Sequence, residues 1–208
     1  MAHESYLKYF SAIPKGKKAA AQLTSSNSLV GNTFSLRVDT KKNIVKIYNK
    51  YNHCVSEIED EDAKKIILWK NKGLQLVALM SFVAYNSIED NHFAEFLILA
   101  YPKNYEEAYK NFTDTVSGKL ANGSRPDIKL DKFECAEIEK NNGNYKIEKF
   151  LPKPKLEKGC ALVKYKQGIM ERIIEAGRQK KIGCYIGSIL FLLIIIGLIV
   201  LLFSQIIS

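Results

Sequence analysis

No phosphate-binding glycine loop of the G-x-x-x-x-G-K-[ST] or G-x-G-x-x-G kind occurs in the chain, and neither does G-x-S-x-G or H-E-x-x-H. Their absence removes the usual routes to nucleotide cradling, serine-elbow acyl transfer and zinc proteolysis. Histidine is scarce, and His3, His53 and His92 lie far apart. His53 adjoins Cys54, but neighbours on a strand point to opposite faces, which separates a base from its nucleophile. The four cysteines, Cys54, Cys135, Cys160 and Cys184, contain no Cys-x-x-Cys pair. Such spacing lacks a metal knuckle and a secreted disulfide framework, and it reads as reduced cytosolic thiols. The run Glu57, Glu59, Asp60, Glu61, Asp62 lacks the alternating oxygen ligands and central glycine of a calcium loop, so a solvated turn or helix start is expected. No cofactor, no metal and no enzymatic activity are expected.

Charge is present but unevenly placed. The formal net charge is +9. Between Lys149 and Lys181 stand ten basic residues against the three acids Glu157, Glu171 and Glu175, which accounts for +7 of it. The first 148 residues are nearly neutral, which argues against nucleic acid, since that partner needs a basic stripe on the domain itself. The excess borders an apolar run, so its electrostatic partner is expected to be an anionic cytosolic leaflet. The residues expected to touch that surface are Lys164, Lys166, Arg172, Arg178, Lys180 and Lys181.

The apolar run, Ile182 to Phe203, has 22 residues and no charge, and sixteen of them are Leu, Ile, Val or Phe. As a helix it reaches about 33 Å, enough for a hydrocarbon core of about 30 Å. A transmembrane helix over 182–204 is therefore expected. Arg178, Lys180 and Lys181 precede it and no charge follows it, so the positive-inside rule keeps the preceding domain cytosolic. The arrangement is tail-anchored and single-pass. Which membrane holds it is not encoded in these features. Gly183 and Gly187 have the small-xxx-small spacing through which two such helices approach as a homodimer. Cys184 sits at the boundary, where reversible lipidation occurs. Two triplets, Asn111-Phe-Thr and Asn122-Gly-Ser, have the glycosylation pattern and are read as silent, because one or two are expected by chance among 14 asparagines and Asn111 falls inside an expected helix; a sugar on either would reverse this topology.

Residues 1–29 are expected to be a helical or flexible segment, with Tyr6, Leu7, Tyr9 and Phe10 on a short helix. Residues 30–124 read as a β-rich α+β domain. Phe34 to Val38 and Ile44 to Tyr48 form a hairpin, and residues 57–73 fit either a helix or a strand. Leu74 to Tyr85 and Phe93 to Tyr101 are strong strands. A helix capped by Asn104 carries apolar residues at Tyr105, Ala108, Tyr109, Phe112, Val116 and Leu120. Residues 125–155 are expected to hold a second hairpin, Phe133 to Glu139 with Tyr145 to Leu151, and a proline-containing linker. Residues 156–181 read as a basic juxtamembrane stalk, helical from Ala161. Tyr48, Tyr51, Tyr101, Tyr105 and Tyr109 supply core or groove.

Antiparallel strands followed by one amphipathic helix, over residues 30–122, resemble the element order of pleckstrin-homology-like domains. That resemblance implies a small barrel or sandwich capped by a helix; a longin-like or other α+β sandwich has an equally suitable order. The functional expectation is a membrane-tethered binding or adaptor domain that recognises a protein or a lipid head group. The alternatives are a SNARE-like tethering protein, which needs a long heptad array that Pro152, Pro154, Gly159, Gly168 and Gly177 interrupt, and a membrane-bound enzyme without a familiar motif.

Overall fold

The computed structural model describes residues 4–171, 173 and 193–195. The chain divides into two compact units, Met1–Gln167 and Gly168–Ser208. The first holds an α+β domain. Its elements in chain order are β1 (Tyr6–Ala12), α1 (Gly16–Thr24), β2 (Thr33–Asp39), β3 (Ile44–Tyr48), β4 (Cys54–Ile58), α2 (Asp60–Asn71), β5 (Gln75–Asn86), β6 (Asn91–Tyr101), α3 (Glu106–Ala121), β7 (Arg125–Pro126), α4 (Lys132–Lys140), β8 (Phe150–Leu151) and β9 (Cys160–Lys164).

Seven strands make one antiparallel sheet in the order β1-β6-β5-β2-β3-β4, with β9 added to β5 beside β2. The sheet does not close into the barrel that the pleckstrin-homology-like order implied. Its two edges meet only through Ile13, just beyond β1, whose amide and carbonyl exchange hydrogen bonds of 3.0 and 2.9 Å with Glu57 in β4. One bridge curls the sheet without sealing it. Helices cover both faces. Leu23 of α1 and Ala63, Ile66, Ile67 and Trp69 of α2 pack with Phe10, Phe34, Val45, Ile47 and Phe96. On the opposite face Tyr109, Phe112, Val116 and Leu120 of α3 and Ile138 of α4 pack with Leu79, Leu97 and Leu99.

Burial on both faces explains the first correction. Tyr6, Leu7, Tyr9 and Phe10 form β1 and not a helix, because a strand covered on both sides needs no polar alternation. Residues 57–73 resolve into the end of β4 and the helix α2, whose first turn carries Asp60, Glu61 and Asp62. Glu61 and Asp62 pair with Lys64 and Lys65 one turn on, at 2.7 and 2.8 Å. Leu68 of α2 is exposed. The β2–β3 hairpin is as expected, its turn held by Asp39 Oδ1 accepting from the Lys41 and Lys42 amides. A bulge between Met80 and Phe82 reverses the facing of β5, which sends Phe82 to the α3 side.

Three further expectations fail. Asn104 does not cap α3; Lys103–Tyr105 form a 3-10 turn and Tyr105 occupies the cap position without a side-chain bond. Phe133 to Glu139 is not a strand but lies within α4, capped by Asp131, with Cys135 and Ile138 buried three residues apart. No hairpin joins it to Tyr145–Leu151; only Phe150–Leu151 is strand, paired with Arg125–Pro126. Finally, the stalk helix does not begin at Ala161, because Cys160–Lys164 is strand β9 on β5. In the second unit Ile169 to Glu171 and Ile173 are helical.

Candidate functional site

The excursion between α3 and β9 carries a cleft. It starts at Arg125, whose guanidinium makes a two-pronged ion pair with Glu95 of β6 at 2.7 and 2.8 Å. The same guanidinium lies 5.1 Å from the Tyr9 ring and 5.7 Å from the Phe82 ring, and it donates to Pro152 O at 2.9 Å. Arg125 is 8% exposed, so the pair works in a desolvated setting where losing one partner is costly. Tyr9 OH donates to Pro126 O at 2.9 Å, and burial pushes its phenol far above the ordinary range. Both ends of the excursion are thereby stapled to the sheet.

The other staple is steric. Gly143, at φ +84°, follows the end of α4 and lies against α3, where an added Cβ would stand 2.1 Å from Ala108 O. Only glycine fits that approach. Beside it Asn111 Nδ2 donates to Asn142 O at 3.1 Å, and Tyr145 meets Phe112 edge-on at 5.9 Å between centroids. Deeper in, Ser5 donates to the buried Tyr109 hydroxyl at 2.7 Å, and Tyr109 stacks on Tyr101 at 5.1 Å.

Held in this way, the loop 127–131, α4 and the strap 145–149 enclose a cleft of about 600 Å³. Asp127, Asp131, Glu134, Glu137 and Glu148 line it, together with Lys129, Lys146 and Lys149 and the apolar Ile128, Tyr145 and Ile147. A smaller cleft of about 300 Å³ shares Asp127, Ile128 and Lys129 and continues to Leu7, Tyr9 and Leu97. Two of the acids are committed. Asp131 Oδ1 accepts from the Phe133 and Glu134 amides at 2.7 and 3.3 Å, and Glu148 pairs with Lys146 at 3.0 Å. Hydrogen bonding from the Glu134 side chain, then from those amides, holds the Asp131 carboxyl below its ordinary value. Glu134 Oε2 is buried without a hydrogen-bond partner. The lining as a whole has five carboxylates against three lysines between apolar walls, which suits a cationic ligand group better than an anionic one.

Among the described residues, no group of three His, Cys, Asp or Glu is placed to hold a metal ion. His53 faces Gln22 Oε1 at 3.1 Å, and the Cys54 thiol donates to Ser56 O at 3.8 Å, so the two neighbours turn to different partners. Cys54, Cys135 and Cys160 are free thiols.

Lys164 is half-buried, and its ammonium donates to Ser25 O at 2.5 Å and Ser28 O at 2.9 Å. Lys166 is exposed. Arg172, Arg178, Lys180, Lys181, Gly183, Cys184 and Gly187 lie outside the described residues. So does the expected span except for Leu193, Ile194 and Ile195, which are helical and exposed. Among the described residues no helix is long and apolar enough to cross a membrane. Asn111 uses its side-chain amide on Asn142 O beyond α4, and Asn122 at the α3 cap uses its own on Gly118 O at 2.9 Å. None of the five expected tyrosines lines the larger cleft; Tyr145 does.

No protein-family model matches the chain, and no curated protein or solved structure matches it either.

Proposed function

We propose that this is a membrane-tethered, non-enzymatic binding module, held by the run Ile182–Phe203 with its domain on the cytosolic side. The observation that carries the reading is that uncharged 22-residue run, preceded by Arg178, Lys180 and Lys181. Sixteen large apolar side chains make insertion favourable by several kcal/mol, at roughly 0.3 to 0.6 kcal/mol each. The domain's part is recognition. Its cleft at residues 127–149 has apolar walls and surplus carboxylates, which favours a lysine- or arginine-bearing segment of a protein partner over an anionic head group. A SNARE-like role has less support, because β9 extends to Lys164 and leaves only 17 residues, fewer than three heptads, from Tyr165 to Lys181. Pairing of two tails through Gly183 and Gly187, and lipidation of Cys184, are compatible additions to the tether.

Proximity labelling in cells, comparing the full chain with one ending at Lys181, tests the proposal. The full chain is expected to label a set of membrane neighbours that the shortened chain loses. Matching neighbour sets would remove the tethered role.

A further inference from the structure

We infer that the domain docks on the anionic leaflet of its own membrane through the surface around the end of α3, using Lys119, Lys153 and Lys166. The inference rests on the tether proposed above and adds which face of the domain meets the lipid. The exit point of the chain is fixed. The Gln167 amide donates to Ala121 O at 2.9 Å, at the end of α3, and its side chain donates to Val30 O at 2.8 Å. With Lys164 holding the Ser25 and Ser28 carbonyls, the last residues of the domain are pinned and cannot swing out as a loose stalk.

Fourteen residues separate Gln167 from Ile182. They reach about 21 Å as a helix and at most about 50 Å fully extended. A linker of this length keeps the exit surface within about 21 Å of the bilayer when helical and within about 50 Å at full extension. Three exposed lysines belong to that surface. Lys119 lies in the last turn of α3, two residues before Ala121. Lys153 rests 5.8 Å from the Tyr165 ring centroid. Lys166 packs over Gly123, its Cβ 3.3 Å from where a Cβ on that glycine would stand. None of the three is in an ion pair among the described residues, so their charge is available. Lys164, named in the sequence as a membrane contact, is replaced in that role, because its ammonium is already used. The occupant is an anionic lipid surface, selected by three unpaired cations at the root of a tether that ends in lipid.

The test uses the full chain reconstituted in phosphatidylcholine vesicles, with and without phosphatidylserine, and reads the rate at which an amine-reactive acetyl reagent labels each lysine. Lys119, Lys153 and Lys166 are expected to label about fivefold more slowly or less in the anionic vesicles, the ratio that one lysine's attraction to such a leaflet predicts. Lys64 and Lys70, on α2 across the sheet, are expected to label equally in both, and high salt to restore the three rates. If the chain resists carbonate extraction but the three lysines label equally in both lipids, docking is overturned and the tether stands. If carbonate extracts the chain, tether and docking fall together.

Discussion

On the α1–α2 face, the sheet presents Phe10, Phe34, Val45, Ile47, Met80 and Phe96, met by Leu23, Ile66 and Trp69, with the small buried hydroxyl of Ser56 set opposite Ile47. The α3–α4 face also has a packed centre of Leu79, Leu97, Leu99 and Phe112, but polar groups enter it at the margins: Glu95 with Arg125, and Ser5 with Tyr109. Clefts of about 600 and 300 Å³ open on that second side. The contrast teaches that one face can be given almost wholly to apolar burial, while the other admits an ion pair and a tyrosine–serine hydrogen bond that hold a polar excursion in register. The first face is a large aromatic and aliphatic cluster, and the clefts at which recognition is proposed open on the second.

Deleting a large side chain from the apolar face is the most direct way to break the comparison. Phe96 is fully buried and meets Phe34 edge-on at 5.2 Å. Phe96→Ala is expected to cost about 3–5 kcal/mol in urea unfolding, with the midpoint falling and the slope unchanged. A loss below 1 kcal/mol would mean that this core is loosely packed and that the two faces are not so different. The staple on the opposite face comes next. Arg125→Met leaves the largely covered Glu95 unpaired and is expected to cost about 3 kcal/mol. Because the guanidinium also holds Pro152 O, amide exchange along 145–152 should accelerate in this variant beyond the rest of the domain. Adding Glu95→Leu to Arg125→Met should recover most of the stability and little of the protection. Recovery of both would assign the pair to general packing and not to holding the excursion.

The same contrast decides what the sequence made legible. The β2–β3 and β5–β6 hairpins were readable because β-branched and aromatic runs flank short polar turns, and every cue is local. The acidic start of α2 was visible, although Ile66, Ile67 and Leu68 alone fit a strand equally well. The site was mostly hidden. Phe133-Glu134-Cys135 and Ala136-Glu137-Ile138-Glu139 each have the alternation of a strand, and that pattern outweighed Asp131 followed by Glu134, which is a cap signature. Phe133, apolar but 74% exposed, was the misleading residue. Strand β9 was read as helix because its partner β5 lies over seventy residues earlier, and no local pattern reports so distant a pairing. The Arg125–Glu95 pair spans thirty residues, and the Gly143 approach to Ala108 spans thirty-five; neither leaves a mark in periodicity.

The cap that the alternation concealed gives the smallest and most specific effect. Asp131 accepts from the amides of Phe133 and Glu134 only as a good acceptor, and its carboxyl is held below the ordinary value of 3.8. A carboxyl whose folded value is depressed stabilises the fold fully above its unfolded value, and that contribution disappears as pH falls through the folded value. Asp131→Ala should therefore lower the unfolding midpoint at neutral pH. The gap between the two proteins should narrow as the solution is taken below pH 3.8, where the Asp131 carboxylate that interacts with the Glu134 side chain and the two amides is lost. The loss should centre on α4 and the strap, which exchange faster while the apolar face keeps its protection. A gap of constant size across the titration would place the effect in backbone propensity rather than in the carboxylate, and a uniform rise in exchange would mean that the two faces unfold as one.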